Sequence, residues 1–117
     1  MPVASYLFSS DYNVALNKVI IDAGHGGKDP GNLGTGRYKY KEKDIALDVA
    51  LKVGEYISES MPDVQVVYTR DKDVFPELYE RTALANSEKA DLFISIHCDA
   101  FTSSDASGCS SFVVGTS

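Results

Sequence analysis

VIIDAGHGGKDPG, Val19–Gly31, decides the fold: an apolar, β-branched core runs straight into a loop that holds His25 between glycines. The run Lys18–Asp22 is nearly continuous in apolar residues, as expected of a strand covered on both faces, and it predicts a first central strand. Beyond it, AGHGGKDPGNLGTGRYKY carries glycine or proline at positions 24, 26, 27, 30, 31, 34 and 36. That composition predicts a loop, and a loop of this length inside a compact domain is usually functional.

Outward from this stretch the pattern changes to a helical period. Ile45, Val49, Val53 and Tyr56 predict one apolar stripe of a helix running from Glu42 or Lys43 to about Ser60, with Ala46, Ala50 and Ile57 beside it and Leu47 and Leu51 broadening it. Met61, Pro62 and Asp63 end that helix. Val64–Thr69 predicts a second strand, followed by polar turn chemistry in TRDKD. Pro76 is expected in the first turn of a second helix, where its missing N–H is harmless, with the helix continuing through ELYERTALANSEK. Asp91–His97 predicts a third strand, and CSSFVV, Cys109–Val114, reads as one more.

Alternating strands and helices imply right-handed crossovers and an α/β fold: a three-layer, mainly parallel twisted sheet with helices on both faces. A sheet interior that ends on a strand with no covering element is expected to be incomplete at the C-terminus. Residues 1–17 lack a clear period and read as an N-terminal arm or edge element, and 18–117 as the N-terminal and central part of one catalytic domain. No repeat or linker divides the chain.

The 117 residues carry a formal net charge of −6, with a pI near 4.7. This balance argues against nucleic acid as a partner, because phosphate binding needs a clustered positive field. No apolar run approaches the length of a membrane span, and the first residues do not have the basic and apolar regions of an export signal. Cys98 and Cys109 fit no common zinc spacing and are expected to be free thiols.

Ligands of open α/β sheets bind beyond the carboxyl ends of the strands. His25 follows the first strand and His97 ends the third, so both belong to that edge. Glu42 begins the first helix, where the helix dipole favours a carboxylate, and the glycine-rich loop can return that end to the same edge. Two imidazoles and one carboxylate with an open fourth position make a catalytic zinc site. Each residue also has a simpler reading: His25 as a hydrogen-bonding loop residue, Glu42 as a helix N-terminal charge, and His97 as a partner of Asp99. Cys98 is excluded as a ligand because strand alternation points it away from His97. Asp22 and Asp99 are candidates for hydrogen bonds to a ligand imidazole or the loop. RYKYKEK, Arg37–Lys43, has four basic residues and one acid and reads mainly as a solvated loop able to contact carboxylates. Arg70 and Asp71 read as an ion pair or turn, Arg81 and Asn86 as helix packing and capping.

VIIDAGHGGKDPG, KEKDIALDVALKV, VVYTRDKD, LYERTALAN and ADLFISIHCDAF, in this order, resemble the successive motifs of the zinc-dependent N-acetylmuramoyl-L-alanine amidases, the amidase-3 type of cell-wall hydrolase. The resemblance covers roughly Lys18–Phe101, with GCSSFVVG as a weaker continuation. It implies one zinc ion held by His25, Glu42 and His97, and a peptidoglycan or muropeptide substrate cut at the amide between N-acetylmuramic acid and L-alanine. It also implies a periplasmic or extracellular setting in the cell envelope, and an acid/base glutamate in a motif after the last matched strand. That motif is absent from this sequence, so the glutamate is expected in a missing C-terminal segment. The rival expectations are a non-catalytic zinc-containing cell-wall-binding or regulatory module and a carboxypeptidase-like zinc hydrolase.

Overall fold

In the computed structural model, which describes residues 15–34, 39–100, 103 and 105–114, the apolar run becomes β1, Lys18–Ala23. It is followed by α1 (Glu42–Ser60), β2 (Gln65–Tyr68), α2 (Leu78–Ser87) and β3 (Leu92–Ile96). The sheet order is β2-β1-β3, and both pairings are parallel. Central placement explains the composition of β1: Val19, Ile20, Ile21 and Ala23 are all fully buried.

Strand alternation splits β1 between two faces. Val19, Ile21 and Ala23 form a core with Ala50 of α1, against which Leu47, Val53, Ile57, Val66 and Ile94 pack. Asp22 faces the other way and meets Arg81 of α2. The helices therefore lie on opposite faces, as the sequence predicts. Topology requires this: β1 to β2 moves one way along the sheet and β2 to β3 the other, so right-handed crossovers must switch face. The crevice between the carboxyl ends of β1 and β3 is the switch point of such a sheet, where ligands bind.

Four details differ from the sequence reading. Residues 109–114 form no strand, and Phe112, Val113 and Val114 are 87, 90 and 99% exposed. β1 already has both neighbours, and the segment pairs with neither β2 nor β3, so its apolar residues are left without a ladder. The buried line of α1 is Glu42, Ala46, Ala50 and Gly54, whereas Ile45, Val49 and Tyr56 are exposed. The small side chains let the helix approach the sheet, Leu47, Val53 and Ile57 pack beside them, and Ile45, Val49 and Tyr56 are turned outward. Pro76 precedes α2, whose N-cap is Glu77 in a capping box with Glu80. The helix ends at Ser87, before Lys89 turns to a positive φ of 51°. The arm expected at residues 1–17 lies outside the described residues except for 15–17. There, the Asn17 and Lys18 N–H groups donate to Asp91 and anchor the entry to β1.

Candidate metal centre

The convergence of His25, Glu42 and His97 is built by backbone bonds. The Gly24 N–H donates to the Ile96 carbonyl at 2.9 Å, which continues the β1–β3 ladder one residue past β1 and brings the two histidine-bearing ends together. α1 has no side-chain cap at Lys41. Its free N–H groups are satisfied by the glycine-rich loop instead: Glu42 donates to the Asn32 carbonyl at 2.8 Å and Lys43 to that of Pro30 at 3.2 Å. The loop thus caps the helix and folds its first turn, with Glu42, back over β1.

The three donor atoms form a nearly regular triangle. His25 Nε2 lies 3.0 Å from Glu42 Oε1, His97 Nδ1 lies 3.2 Å from the same oxygen, and the two nitrogens are 3.3 Å apart. A tetrahedral ion with ligand bonds of about 2.0–2.1 Å separates its ligand atoms by about 3.3–3.4 Å. The set therefore fits one small divalent cation, with His97 the most exposed of its three donors.

The surroundings prepare each donor. Glu42 is buried, and burial alone would raise its pKa. The N–H groups of Asn32 and Cys98, at 2.8 and 2.9 Å, together with the two imidazoles, outweigh that cost and hold the carboxyl below the usual range. His25 Nδ1 is 2.8 Å from Asp29 Oδ2, which leaves Nε2 facing the centre. The bond to His25, then the Gly31 N–H, hold Asp29 below the ordinary carboxylate pKa. His25 itself has φ 60°, a conformation costly for a side chain with a Cβ, and its carbonyl is held by Arg81 at 2.8 Å. Glycine is required at two neighbours. A Cβ at Gly24 would strike the His97 ring, and one at Gly31, φ +64°, would lie 2.6 Å from His25 Cδ2 and 2.7 Å from Glu42 Oε2.

Asp29 was not singled out by the sequence reading. Its signal is local: Gly26 and Asp29 exchange both backbone hydrogen bonds across Gly27-Lys28, a tight turn that returns residue 29 to His25. The carboxylates proposed for that role act elsewhere or not at all. Asp22 accepts from Thr69, Ser95 and Arg81, and these bonds overcome burial to lower its pKa. Asp99 is exposed, and no hydrogen bond among the described residues involves its carboxyl.

Arg70 makes no pair with Asp71. It is buried and donates to carbonyls of Ala23, Gly24, Lys43 and Lys72. Lys43, from the basic stretch, pairs with Asp73 at 2.7 Å and donates to Gly27; Arg37 and Tyr38 lie outside the described residues. Cys98 and Cys109 are free, as expected.

A family model described as N-acetylmuramoyl-L-alanine amidase matches residues 19–117. The chain belongs to this amidase family. It is 44% identical over 98 residues to the N-acetylmuramoyl-L-alanine amidase AmiC of Escherichia coli O6:H1, an alignment covering 84% of this chain and 23% of that protein. An endolysin of Bacillus phage SPP1 is 50% identical over 86 residues, covering 73% and 30%. Among solved structures, the catalytic domain of CwlV, an amidase from Bacillus (Paenibacillus) polymyxa var. colistinus, superposes with a TM-score of 0.70 at 46% identity. That match covers 77% of this chain and 49% of the other. The chain thus spans about a quarter to a third of the curated relatives' length and about half of the solved domain.

Proposed function

We propose that this chain is the zinc-holding part of a peptidoglycan amidase of the cell envelope, with His25, Glu42 and His97 as the three protein ligands of one ion. The observation that carries the reading is the donor triangle, 3.0–3.3 Å on each side, at the switch point of the sheet. Two neutral imidazoles and a carboxylate suit zinc, which in such a site supplies a Lewis acid for the scissile carbonyl and lowers the pKa of bound water to about 7.

The chain's residues prepare that chemistry. Asp29 accepts a hydrogen bond from the Nδ1–H of His25, so that the Nε2 lone pair faces the centre. The Asn32 and Cys98 N–H groups fix both oxygens of Glu42, leaving Oε1 turned toward both imidazoles. His97, the most exposed of the three, borders the side where an acyl group would enter. Glu42, Asp29 and Asp22 are all committed to these bonds, so none is free to protonate the leaving amine of L-alanine. This reading assigns that step to a glutamate outside these 117 residues.

Zinc-loaded chain incubated with purified muropeptides tests the reading. Stem peptides with a free N-terminal L-alanine are expected, formed slowly, because a missing general acid lowers such rates by about 10²–10⁴-fold. Release of D-alanine, or cleavage that persists in His25→Ala, contradicts it.

A further inference from the structure

The guanidinium of Arg70 links the two segments that carry His25 and Glu42. Its Nη2 donates to the Gly24 carbonyl at 2.8 Å and to the Lys43 carbonyl at 2.9 Å, while Nε donates to Ala23 at 3.0 Å. Gly24 immediately precedes His25, and Lys43 immediately follows Glu42. Nη1 closes the contact with the Lys72 carbonyl at 3.1 Å, which ties the side chain back to its own turn. Arg70 is 3% exposed, and every one of these acceptors is a backbone carbonyl. A buried cation without a carboxylate partner within bonding distance is a costly device for stability alone. A planar fork with donors in fixed directions is, however, suited to setting the distance between two backbones.

We infer that Arg70 is a positioning residue for the metal centre: by bridging Gly24 and Lys43 it sets the separation of the His25 and Glu42 donor atoms, and hence affinity for the ion. The inference rests on the zinc reading above. Arg81 secures the Ala23 and His25 carbonyls on the other side, at 2.8 Å each, but reaches nothing on α1. Arg70 alone joins loop to helix among the described residues' guanidinium contacts.

Arg70→Lys keeps the charge and loses the fork, since one ammonium cannot reproduce bonds spread over the guanidinium edge. Zinc affinity is measured by competition with a chelating dye for the wild-type chain, Arg70→Lys, and Val64→Ala as a control that trims the core far from the centre. Arg70→Lys is expected to weaken zinc about ten- to a hundredfold, the range typical of residues that orient metal ligands. It should also alter the visible spectrum of the cobalt-substituted chain, while Val64→Ala leaves both unchanged. Equal affinity and an unaltered cobalt spectrum in Arg70→Lys overturn the inference, as does an equal loss in both variants.

A measurement on the wild-type chain covers the case in which Arg70→Lys does not fold. Because coupling is reciprocal, zinc loading should slow hydrogen exchange of the Arg70 Nε–H resonance. A resonance indifferent to zinc overturns the inference. Failure of the wild-type chain itself to take up zinc would instead bring down the reading on which the inference depends.

Discussion

The smallest decisive feature is a hydrogen bond that sequence spacing concealed. Asp29 reaches His25 because a tight turn over Gly27-Lys28 reverses the chain, and the pair then fixes which imidazole nitrogen faces the centre. Asp29→Asn should lower zinc affinity by about ten- to a hundredfold in a chelator competition, with little change in thermal unfolding of the metal-free chain. That His25 and His97 share one sheet edge was legible from their positions at strand ends, whereas Glu42 joined them in the sequence through the family resemblance. Asp29 was not legible, since its role depends on a turn whose geometry is set by two backbone bonds and not by any periodic pattern. Arg70 was hidden for a related reason. Beside Asp71 in sequence it resembles half of an ion pair, yet the end of β2 aims it at carbonyls of the neighbouring segments.

Among the elements, α1 shows most clearly how pattern and packing diverge. Its extent is read well from composition, but its buried face is lined by Ala46, Ala50 and Gly54 and not by the bulkier Ile45, Val49 and Tyr56. Apolar residues surround so much of this helix that periodicity alone does not select a side; the close approach to the sheet does. Gly54 packs directly against the Tyr68 hydroxyl, so a Cβ there has no space. Gly54→Ala should destabilise the chain by about 1–3 kcal/mol in urea unfolding, as overpacking does, and Tyr68→Phe in the same chain should restore part of the loss. Val49→Lys, at a 43% exposed position, should stay within about 0.5 kcal/mol of the parent, whereas Ala50→Lys should prevent folding. The strand expected at Cys109–Val114 shows the converse: its composition suits a strand, but the segment pairs with no strand of the sheet and its Phe112, Val113 and Val114 stay exposed.

At the scale of the whole molecule, the sheet, both helices and the loop are tied together beneath the candidate metal centre. Asp22 is the charged knot on the α2 side, bonded to Arg81 of α2, Thr69 just after β2 and Ser95 of β3. Its pKa is lowered in the folded state, so its contribution is fully present above the unfolded carboxylate value near 3.9 and is lost as pH falls through the lower folded value. Acid unfolding should therefore steepen below about pH 4, and Asp22→Asn should remove that component while costing about 3 kcal/mol at neutral pH. Above this support, the topology brings His25, Glu42 and His97 within 3.3 Å of one another from three separate segments of the chain. That they hold one metal ion is tested most directly by the zinc content of the purified chain after equilibration and removal of free metal. One zinc per chain, falling to near zero in both His25→Ala and His97→Ala with the fold retained, is the predicted result; no zinc in the parent chain, or equal zinc in the variants, would contradict it.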